Sequence, residues 1–342
     1  MLNIVFSSND AYSPLLTIAL TSLLENNSQD FDLINVYIVD NGISNSNWDK
    51  ISRLCEEYPC NLTFVKGSVI ESMDLSLAPM GENPIAPTSF TTYNRLFLST
   101  LLPDDVDRII YLDCDGLVLG SFKQLWDTDI SNYYCAGVIQ IGFTQALKDE
   151  FWFFNVQDYI NAGFLYINLK KWREDNVEEM FIEFLSNHQN QYFCADQGVL
   201  NKTFEGKIKI IEPKYNLIGE YQEYYYDYAK KLNLLELDYY SKETIKDSED
   251  NPVFVHFAGE ITTPWFDCKN KYYPVFEEYA RKCDCKSIIQ CRKPIFRFNK
   301  IKPYILKLLV LFAPSKLLIK RNERFAFRLF RNEELKAQKH ED

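Results

Sequence analysis

The chain has 342 residues, of which 46% are hydrophobic and 25% charged, and its formal net charge is −11. This length and composition are those of a protein with a large buried core, which excludes a disordered chain and a small disulfide-stapled scaffold. No segment has the run of about 20 apolar residues that crosses a bilayer. The nine cysteines and the absence of a signal-peptide pattern lead us to expect a reducing, cytoplasmic location.

The first part of the chain alternates between strand and helix patterns. Apolar strand patterns occupy residues 2–8, 32–40 and 61–66, and helical spacing is found in residues 14–27 and 47–58. This alternation is typical of βαβ units around a parallel sheet. A further helix is predicted over residues 89–103, leading into the stretch IIYLDCDGLVLGSF at 109–122.

The pattern is less regular beyond Asp115. Strands are predicted at 135–141 and 161–169, on either side of a loop rich in Phe and Trp, and an acidic amphipathic helix is predicted from Lys170 to Asn190. KIKIIEP and PVFVHFAG are the last predicted strands, after which the chain is helical and increasingly basic. We therefore divide it into an α/β domain, residues 1–265, and a basic helical extension, residues 266–342. The glycine-rich nucleotide motifs and the G-x-S-x-G motif are missing.

Two carboxylates end the apolar run at 109–112. If the strand continues, Asp113 and Asp115 point to the same face with Cα atoms about 6.6 Å apart, so that both can reach one ion. Oxygen ligands of this kind suit Mg²⁺ or Mn²⁺, which often carry phosphate oxygens as well. Two alternatives stay open: an acid pair that caps a turn, and the acid/base pair of a hydrolase.

One histidine ends another apolar strand, in VFVHFAG at 253–259. His256 is a possible third metal ligand, and Gly259 would permit close approach of the backbone. The other two histidines compete poorly, because His188 belongs to a polar-faced helix and His340 to a charged tail. A hydrogen-bonded core histidine is the alternative.

Five segments resemble glycosyltransferase family 8, in the family's order. They are IVFSSNDAYSPLL, YLDCDGLVLGSFKQLWDTD, NAGFLYINLKKWRE, ADQGVLN and VHFAGEITTPW, spread between Asn3 and Trp265. The resemblance is strongest to bacterial lipopolysaccharide galactosyl- and glucosyltransferases. It implies a GT-A fold, in which a Rossmann-like mixed sheet is flanked by helices. It also implies transfer of galactose or glucose from a UDP-sugar to a saccharide acceptor on a lipid or protein, with retention of configuration.

The resemblance further implies a cofactor, Mn²⁺ with Mg²⁺ as a substitute, held by Asp113, Asp115 and His256 against the diphosphate of the UDP-sugar. The ion would stabilise the charge of the departing UDP. Arg95 matches the family's arginine near the diphosphate and donor sugar. Cys114, between the two aspartates, belongs to the same nucleotide-sugar site by this match.

The remaining matched residues surround the donor. Gly259 belongs to the nucleotide-sugar site, and Asn9, Asp10 and Tyr12 fall where the family holds uracil and ribose, although turn formation and helix capping would explain these polar residues as well. The sugar-contacting residues that match are Asn161, Asp196 and Gln197, which with Arg95 make up the predicted catalytic set. Gln197 would be nearest the anomeric carbon, which favours front-face attack by the acceptor hydroxyl over a covalent intermediate.

Two positions depart from the family pattern. Thr263 replaces the lysine that contacts phosphate, so a diphosphate cation is missing unless Lys269 or Lys271 reaches the site. Gln140 stands where a close relative has an acid facing the donor sugar. A catalytically impaired module that binds a UDP-sugar or glycan is therefore a second functional hypothesis.

The charge is unevenly distributed. Residues 286–331 contain thirteen Lys and Arg and one acid, a net +12, which leaves −23 for the rest. Basic and apolar residues interleave there as in helices that lie in a membrane interface, so we predict contact with an anionic membrane from the cytoplasmic face and no nucleic-acid partner. Packing of this segment on the acidic body is the alternative. The tyrosine-rich residues 220–240 are either an acceptor surface or a packing helix.

Overall fold

The computed structural model describes residues 1–67, 91–142, 158–188, 194–218, 225–258 and 263–290, together with Leu317 and Lys320. Their strands are β1 (Leu2–Ser8), β2 (Ile34–Asp40), β3 (Cys60–Lys66), β4 (Arg108–Leu112), β5 (Gly116–Val118), β6 (Cys135–Gly137), β7 (Phe164–Asn168), β8 (Ile208–Ile210), β9 (Leu217–Ile218) and β10 (Phe254–His256). Their α-helices are α1 (Ser13–Asn27), α2 (Asn45–Glu56), α3 (Leu98–Leu101), α4 (Lys123–Trp126), α5 (Leu169–Glu174), α6 (Val177–His188), α7 (Ala195–Thr203), α8 (Tyr225–Leu232), α9 (Lys242–Asp250) and α10 (Tyr273–Lys282).

The larger sheet has the strand order β3-β2-β1-β4-β7-β6-β8. Strands β3, β2, β1 and β4 are parallel neighbours, whereas β7 is antiparallel to both β4 and β6. Strands β2 and β3 are added in sequence on one side of β1, and the next strand, β4, pairs with the other side of β1. Such a switch point opens a crevice at the carboxyl ends of the strands, where ligands bind in α/β sheets. The predicted mixed α/β architecture is confirmed.

Strand β7 brings a loop to the same edge because it runs against β4. Leu112, the last residue of β4, pairs with Phe164, the first residue of β7. Residues 161–163 therefore precede β7 at the edge where β1 and β4 end. The backbone N–H of Asp113 extends the pairing by donating to the carbonyl of Gly163 at 2.9 Å.

A second sheet of three strands has the order β5-β10-β9. β10 is antiparallel to β5, with His256 opposite Gly116, and parallel to β9, with His256 opposite Ile218. The chain passes from the large sheet to the small one within three residues, Asp113 to Asp115. Gly116 permits this junction because a Cβ there would lie 2.3 Å from the ring of Phe254.

Helix α1 is buried along most of its length. Its predicted end at Asn27 is confirmed, and its hydroxyl side chains are satisfied inside the protein. Thr17 and Thr21 donate to the carbonyls four residues earlier, both at 2.7 Å, which removes the penalty of burying a hydroxyl. Helix α10 packs against α1, and Tyr279 accepts a hydrogen bond from Asn26 at 2.9 Å. The domain boundary after residue 265 stays a prediction.

Three helix predictions differ from the structure. The helix over 89–103 is wrong, because its described residues form a 3-10 helix, Thr91–Leu96, followed by the single turn α3. The long acidic helix is two helices, α5 and α6, because Asn176 between them has a left-handed φ of 51° that no continuous helix can contain. Helix α2 begins at Asn45, two residues before the predicted start.

Several predictions fall outside the described residues. They are the aromatic loop at 143–157, Gly259, part of the tyrosine-rich segment and, in the basic segment 286–331, every residue after 290 except Leu317 and Lys320. Among the described residues, no helix has the length and apolar character that a membrane span requires.

Candidate active site

Three predicted ligands meet where the two sheets join. Asp113, Asp115 and His256 each offer a ligand atom, and these atoms lie within 4.8 Å of one another. The Nε2 atom of His256 is 3.3 Å from an Asp115 oxygen and 3.7 Å from an Asp113 oxygen. The histidine side chain is 4% exposed, while the two carboxylate side chains are about a quarter exposed. The cluster is therefore closed on the histidine side and open on the carboxylate side.

The strand pairings explain why these distant residues meet. His256 ends β10 directly opposite Gly116, and the N–H of Phe257 donates to the carbonyl of Asp115 at 2.8 Å. Asp113 is held by the hydrogen bond from its N–H to the carbonyl of Gly163, the residue just before β7. The prediction that both aspartates belong to one strand is wrong, because β4 ends at Leu112 and pairing resumes only at Gly116. They converge across a turn between two sheets.

The electrostatics of the cluster fit a divalent cation. Burial alone would lower the pKa of His256, but the carboxylates of Asp115 and Asp113 outweigh it and raise that pKa above 6.5. Burial opposes ionisation of Asp115, yet His256 holds the pKa of Asp115 below its usual value. The two carboxylates therefore concentrate negative charge next to the His256 ring, where it stabilises a bound proton and would also attract a metal cation. Two carboxylates and one imidazole are a ligand set that Mn²⁺ accepts, with positions left for substrate oxygens.

Arg95 lies beneath the cluster and joins two carboxylates. Its guanidinium is 2.9 Å from an Asp113 oxygen and 2.8 Å from an Asp196 oxygen. It also donates to the carbonyl of Ala162 and to the hydroxyl of Thr92. Arg95 is only 5% exposed. The contacts of this buried cation are with the protein, and they fix the position of Asp113 and Asp196.

Side-chain amides form a second cluster beside the cation site. Gln197 Oε1 accepts from the Ala162 N–H at 3.0 Å and from Asn161 Nδ2 at 3.2 Å. Gln140 Oε1 accepts from Asn161 at 2.9 Å and from Gln197 at 3.3 Å. Three of the residues predicted to contact the sugar, Asn161, Asp196 and Gln197, therefore lie together at this edge, with Gln140 among them.

The polar residues after β1 are engaged locally. Asn9 caps the 3-10 helix Asp10–Tyr12 by accepting from the N–H of Tyr12 at 3.1 Å. The carboxylate of Asp10 accepts from the N–H of Ser44 and from Asn47, both at 2.8 Å, and these bonds lower its pKa. Asp10 thus connects the end of β1 to the start of α2.

Two further predicted positions are buried. The thiol of Cys114 donates to the carbonyl of Ser7 in β1 at 3.4 Å, and burial raises its pKa. The side chain of Cys114 is therefore buried against β1. Thr263, which replaces the family lysine, is 3% exposed. Gly259 lies outside the described residues.

Sequence reasoning missed two neighbours of His256. A Cβ on Gly163 would lie 2.1 Å from the Cε1 atom of the histidine ring, so only glycine leaves room for it. Asn216, completely buried before β9, faces the Nδ1 atom of His256 at 3.2 Å. A polar residue between Tyr215 and Leu217 in PKYNLI was the available signal for Asn216.

Comparisons with known proteins agree on one family. Residues 3–269 match the model of "Glycosyl transferase family 8". A "Putative glycosyltransferase" of Haemophilus influenzae is 33% identical over 68% of this chain and 67% of its own length. A "Lipopolysaccharide 1,2-glucosyltransferase" of Escherichia coli is 29% identical over 78% and 74%, respectively. The crystal structure of galactosyltransferase LgtC with donor and acceptor sugar analogues is 25% identical, with a TM-score of 0.62 over 82% of this chain and 96% of that one.

The sheet order, the flanking helices and these matches define a glycosyltransferase with the GT-A fold. The chain belongs to glycosyltransferase family 8. The resemblance of its five sequence segments to that family is confirmed.

Proposed function

We propose that this protein is a retaining hexosyltransferase that moves galactose or glucose from a UDP-sugar to a saccharide acceptor and requires Mn²⁺. The convergence of Asp113, Asp115 and His256 at the switch point of the sheet is the observation that carries the proposal. The similarity to enzymes named as lipopolysaccharide 1,2-glucosyltransferase and 1,3-galactosyltransferase supports the donor class and an acceptor in surface polysaccharide synthesis.

The chain's own residues prepare the site for a diphosphate. When bound, Mn²⁺ supplies positive charge where the leaving UDP becomes negative. Asp113 and Asp115 would hold the ion on the open side of the cluster, and His256 would hold it on the buried side. Arg95 keeps Asp113 in place from below through the ion pair at 2.9 Å. Asn9, Asp10 and Tyr12, after β1, are the proposed contacts of uracil and ribose.

The amide cluster suits recognition of sugar hydroxyls, because amides both donate and accept. A covalent mechanism needs a free carboxylate beneath the anomeric carbon. The three described carboxylates nearby have other partners, since Asp113 and Asp115 face His256 and Asp196 is paired with Arg95. We therefore favour attack of the acceptor on the same face from which UDP leaves, next to Gln197.

The test measures UDP release from UDP-galactose, UDP-glucose and other UDP-sugars, with Mn²⁺ or with EDTA, and with water as the acceptor. Release from one donor that stops with EDTA is expected. The first free sugar formed should be the α-anomer, observed by proton NMR before mutarotation, if configuration is retained. UDP binding without turnover under any acceptor condition would favour the alternative of a binding module.

A pair of variants locates the reaction in the cation cluster. Asp115→Asn should reduce Mn²⁺-dependent release about 10²-fold, because it removes one ligand charge and disturbs the donor's placement. Asp127→Asn is the matched control, since Asp127 is an exposed acid paired with Lys123. Equal activity of the two variants would place the chemistry elsewhere.

The acceptor is proposed to lie at a membrane surface. Residues 286–331 carry a net +12 with interleaved apolar side chains, and each cation near an anionic leaflet contributes about 1 kcal/mol. The full chain should therefore float with vesicles containing phosphatidylglycerol and not with phosphatidylcholine vesicles. Failure to bind the anionic vesicles at low salt would contradict membrane contact and favour packing of the tail on the acidic body.

A further inference from the structure

We infer that Asn216 is a positioning residue of the cation site: its side chain makes Nδ1 of His256 the protonated nitrogen and so leaves Nε2 directed at the cation. The inference rests on the proposed metal-dependent function. It concerns a residue that is not one of the three proposed metal ligands. Its basis is a chain of hydrogen bonds whose direction is set by the backbone.

The first hydrogen bond of this series has a backbone donor. The N–H of Gly163 donates to Asn161 Oδ1 at 3.0 Å. A backbone N–H can only donate, so this contact identifies the atom of Asn161 that faces it as the oxygen. The N–H of Ala162 identifies Gln197 Oε1 in the same way, and Asn161 Nδ2 in turn donates to that oxygen. Both backbone contacts therefore assign the same orientation to the Asn161 amide.

The next bond transmits this orientation to Asn216. Asn161 Oδ1 accepts a second hydrogen bond, from Asn216 Nδ2 at 2.9 Å. With its nitrogen facing Asn161, Asn216 must present its oxygen to His256, and that oxygen is 3.2 Å from Nδ1. An amide oxygen only accepts, so Nδ1 must carry a hydrogen. The other ring nitrogen, Nε2, faces Asp113 and Asp115.

Burial makes this arrangement stringent. Asn216 is fully buried and His256 is 3% exposed, so a ring turned the other way would leave buried polar atoms without hydrogen-bond partners, an arrangement that folded proteins avoid. In metal sites, a bond to the second ring nitrogen of a ligating histidine typically changes metal affinity 10–100-fold. For His256, the amide oxygen of Asn216 is the acceptor that bonds this second ring nitrogen.

The first measurement is the tautomer of His256, read from two-dimensional NMR of protein labelled with ¹⁵N at histidine and assigned with a His256→Gln sample. In metal-free protein at a pH where all imidazoles are neutral, we expect Nδ1–H and an unprotonated Nε2. Asn216→Leu should abolish that preference. An Nε2–H tautomer in the wild-type protein would overturn the inference, even if the Leu variant does not fold.

The second measurement is Mn²⁺ affinity, from the free-ion signal in electron paramagnetic resonance. Asn216→Leu should weaken Mn²⁺ binding about 10–100-fold. Asn216→Asp should recover most of it, because a carboxylic acid accepts from Nδ1–H with one oxygen and donates its own hydrogen to Asn161 Oδ1 with the other. Asn201→Leu is the matched control: Asn201 is a buried asparagine bonded to the backbone of Ile160 and Gln197, and its loss should leave Mn²⁺ affinity unchanged.

The outcomes separate the two proposals. If the wild-type protein binds no Mn²⁺, the proposed metal-dependent function fails, whatever Asn216 does. If it binds Mn²⁺ and Asn216→Leu binds equally well, the function stands and the role of Asn216 is refuted. Equal losses in the Leu and Asp variants would indicate a merely structural residue and would also refute it.

Discussion

A single methyl group at Gly163 should damage the cation site. The Cβ of Gly163→Ala would lie 2.1 Å from Cε1 and 2.6 Å from Nδ1 of His256, and 2.9 Å from an Asp113 oxygen. Non-bonded carbon atoms prefer separations of about 3.5 Å or more, so the methyl group and the ring must separate by about 1.4 Å. Gly163 does not have a left-handed φ, so alanine is not excluded by the backbone conformation itself.

The required movement exceeds what a metal site tolerates. Ligand distances are maintained within about 0.2 Å, and the buried ring of His256 is tied to Asn216. We expect Mn²⁺ affinity to fall at least about 100-fold, equivalent to about 2.8 kcal/mol. The assay is a Mn²⁺ titration followed by electron paramagnetic resonance, together with UDP release from the preferred donor.

Gly120→Ala provides the control for adding a methyl group near a strand. Its Cβ would lie 3.3 Å from a methyl group of Val253, a contact that a shift of a few tenths of an ångström relieves. Mn²⁺ affinity should be unchanged in this variant. Folded Gly163→Ala protein with wild-type Mn²⁺ affinity would refute the crowding at His256.

Three further predictions concern stability, proton competition and turnover. Arg95→Met removes a buried cation and should lower the free energy of unfolding, measured by urea titration, by about 3–5 kcal/mol. Adding Asp196→Asn should recover part of this loss. A loss below about 1 kcal/mol would contradict a buried ion pair between Arg95 and Asp196. The pKa of His256 is raised above 6.5, so protons should begin to compete with Mn²⁺ at a pH above 6.5. Mn²⁺ affinity should fall about tenfold for each pH unit below the folded-state pKa. A Mn²⁺ affinity that calorimetric titrations show to be independent of pH would refute this. Gln197→Ala should lower kcat about 10²-fold through lost placement of the donor, whereas near wild-type turnover would remove Gln197 from the mechanism.

The sequence indicates which three residues could form the proposed cation site, but not the geometry by which they meet. Asp113, Asp115 and His256 stand out because each is a metal-competent residue at the end of an apolar run. Their convergence depends on the pairing of β10 with β5, which joins segments more than a hundred residues apart. Local periodicity carries no information about such pairing. The same limit explains the wrong strand assignment, since only the change of sheet shows why pairing stops at Leu112.

The residues that support the ligands are harder to predict. Gly163 has the appearance of an ordinary turn glycine, and its importance follows only from the position of the His256 ring. Asn216 occurs in a short segment without periodicity, and its role depends on partners from other loops. Local propensity also could not find the interruption at Asn176, because acidic and apolar residues continue at helical spacing on both sides.

The position of the ligands between two sheets has a functional consequence. Asp113 is fixed by the large sheet and by Arg95, whereas His256 is fixed by the small sheet and Asn216. The cation site therefore depends on the junction of the sheets as well as on its three ligands. Because the histidine is buried and the carboxylates are about a quarter exposed, the free coordination positions must face the open side. A donor diphosphate approaching the carboxyl ends of the strands would meet the cation from that side, with the amide cluster next to its sugar.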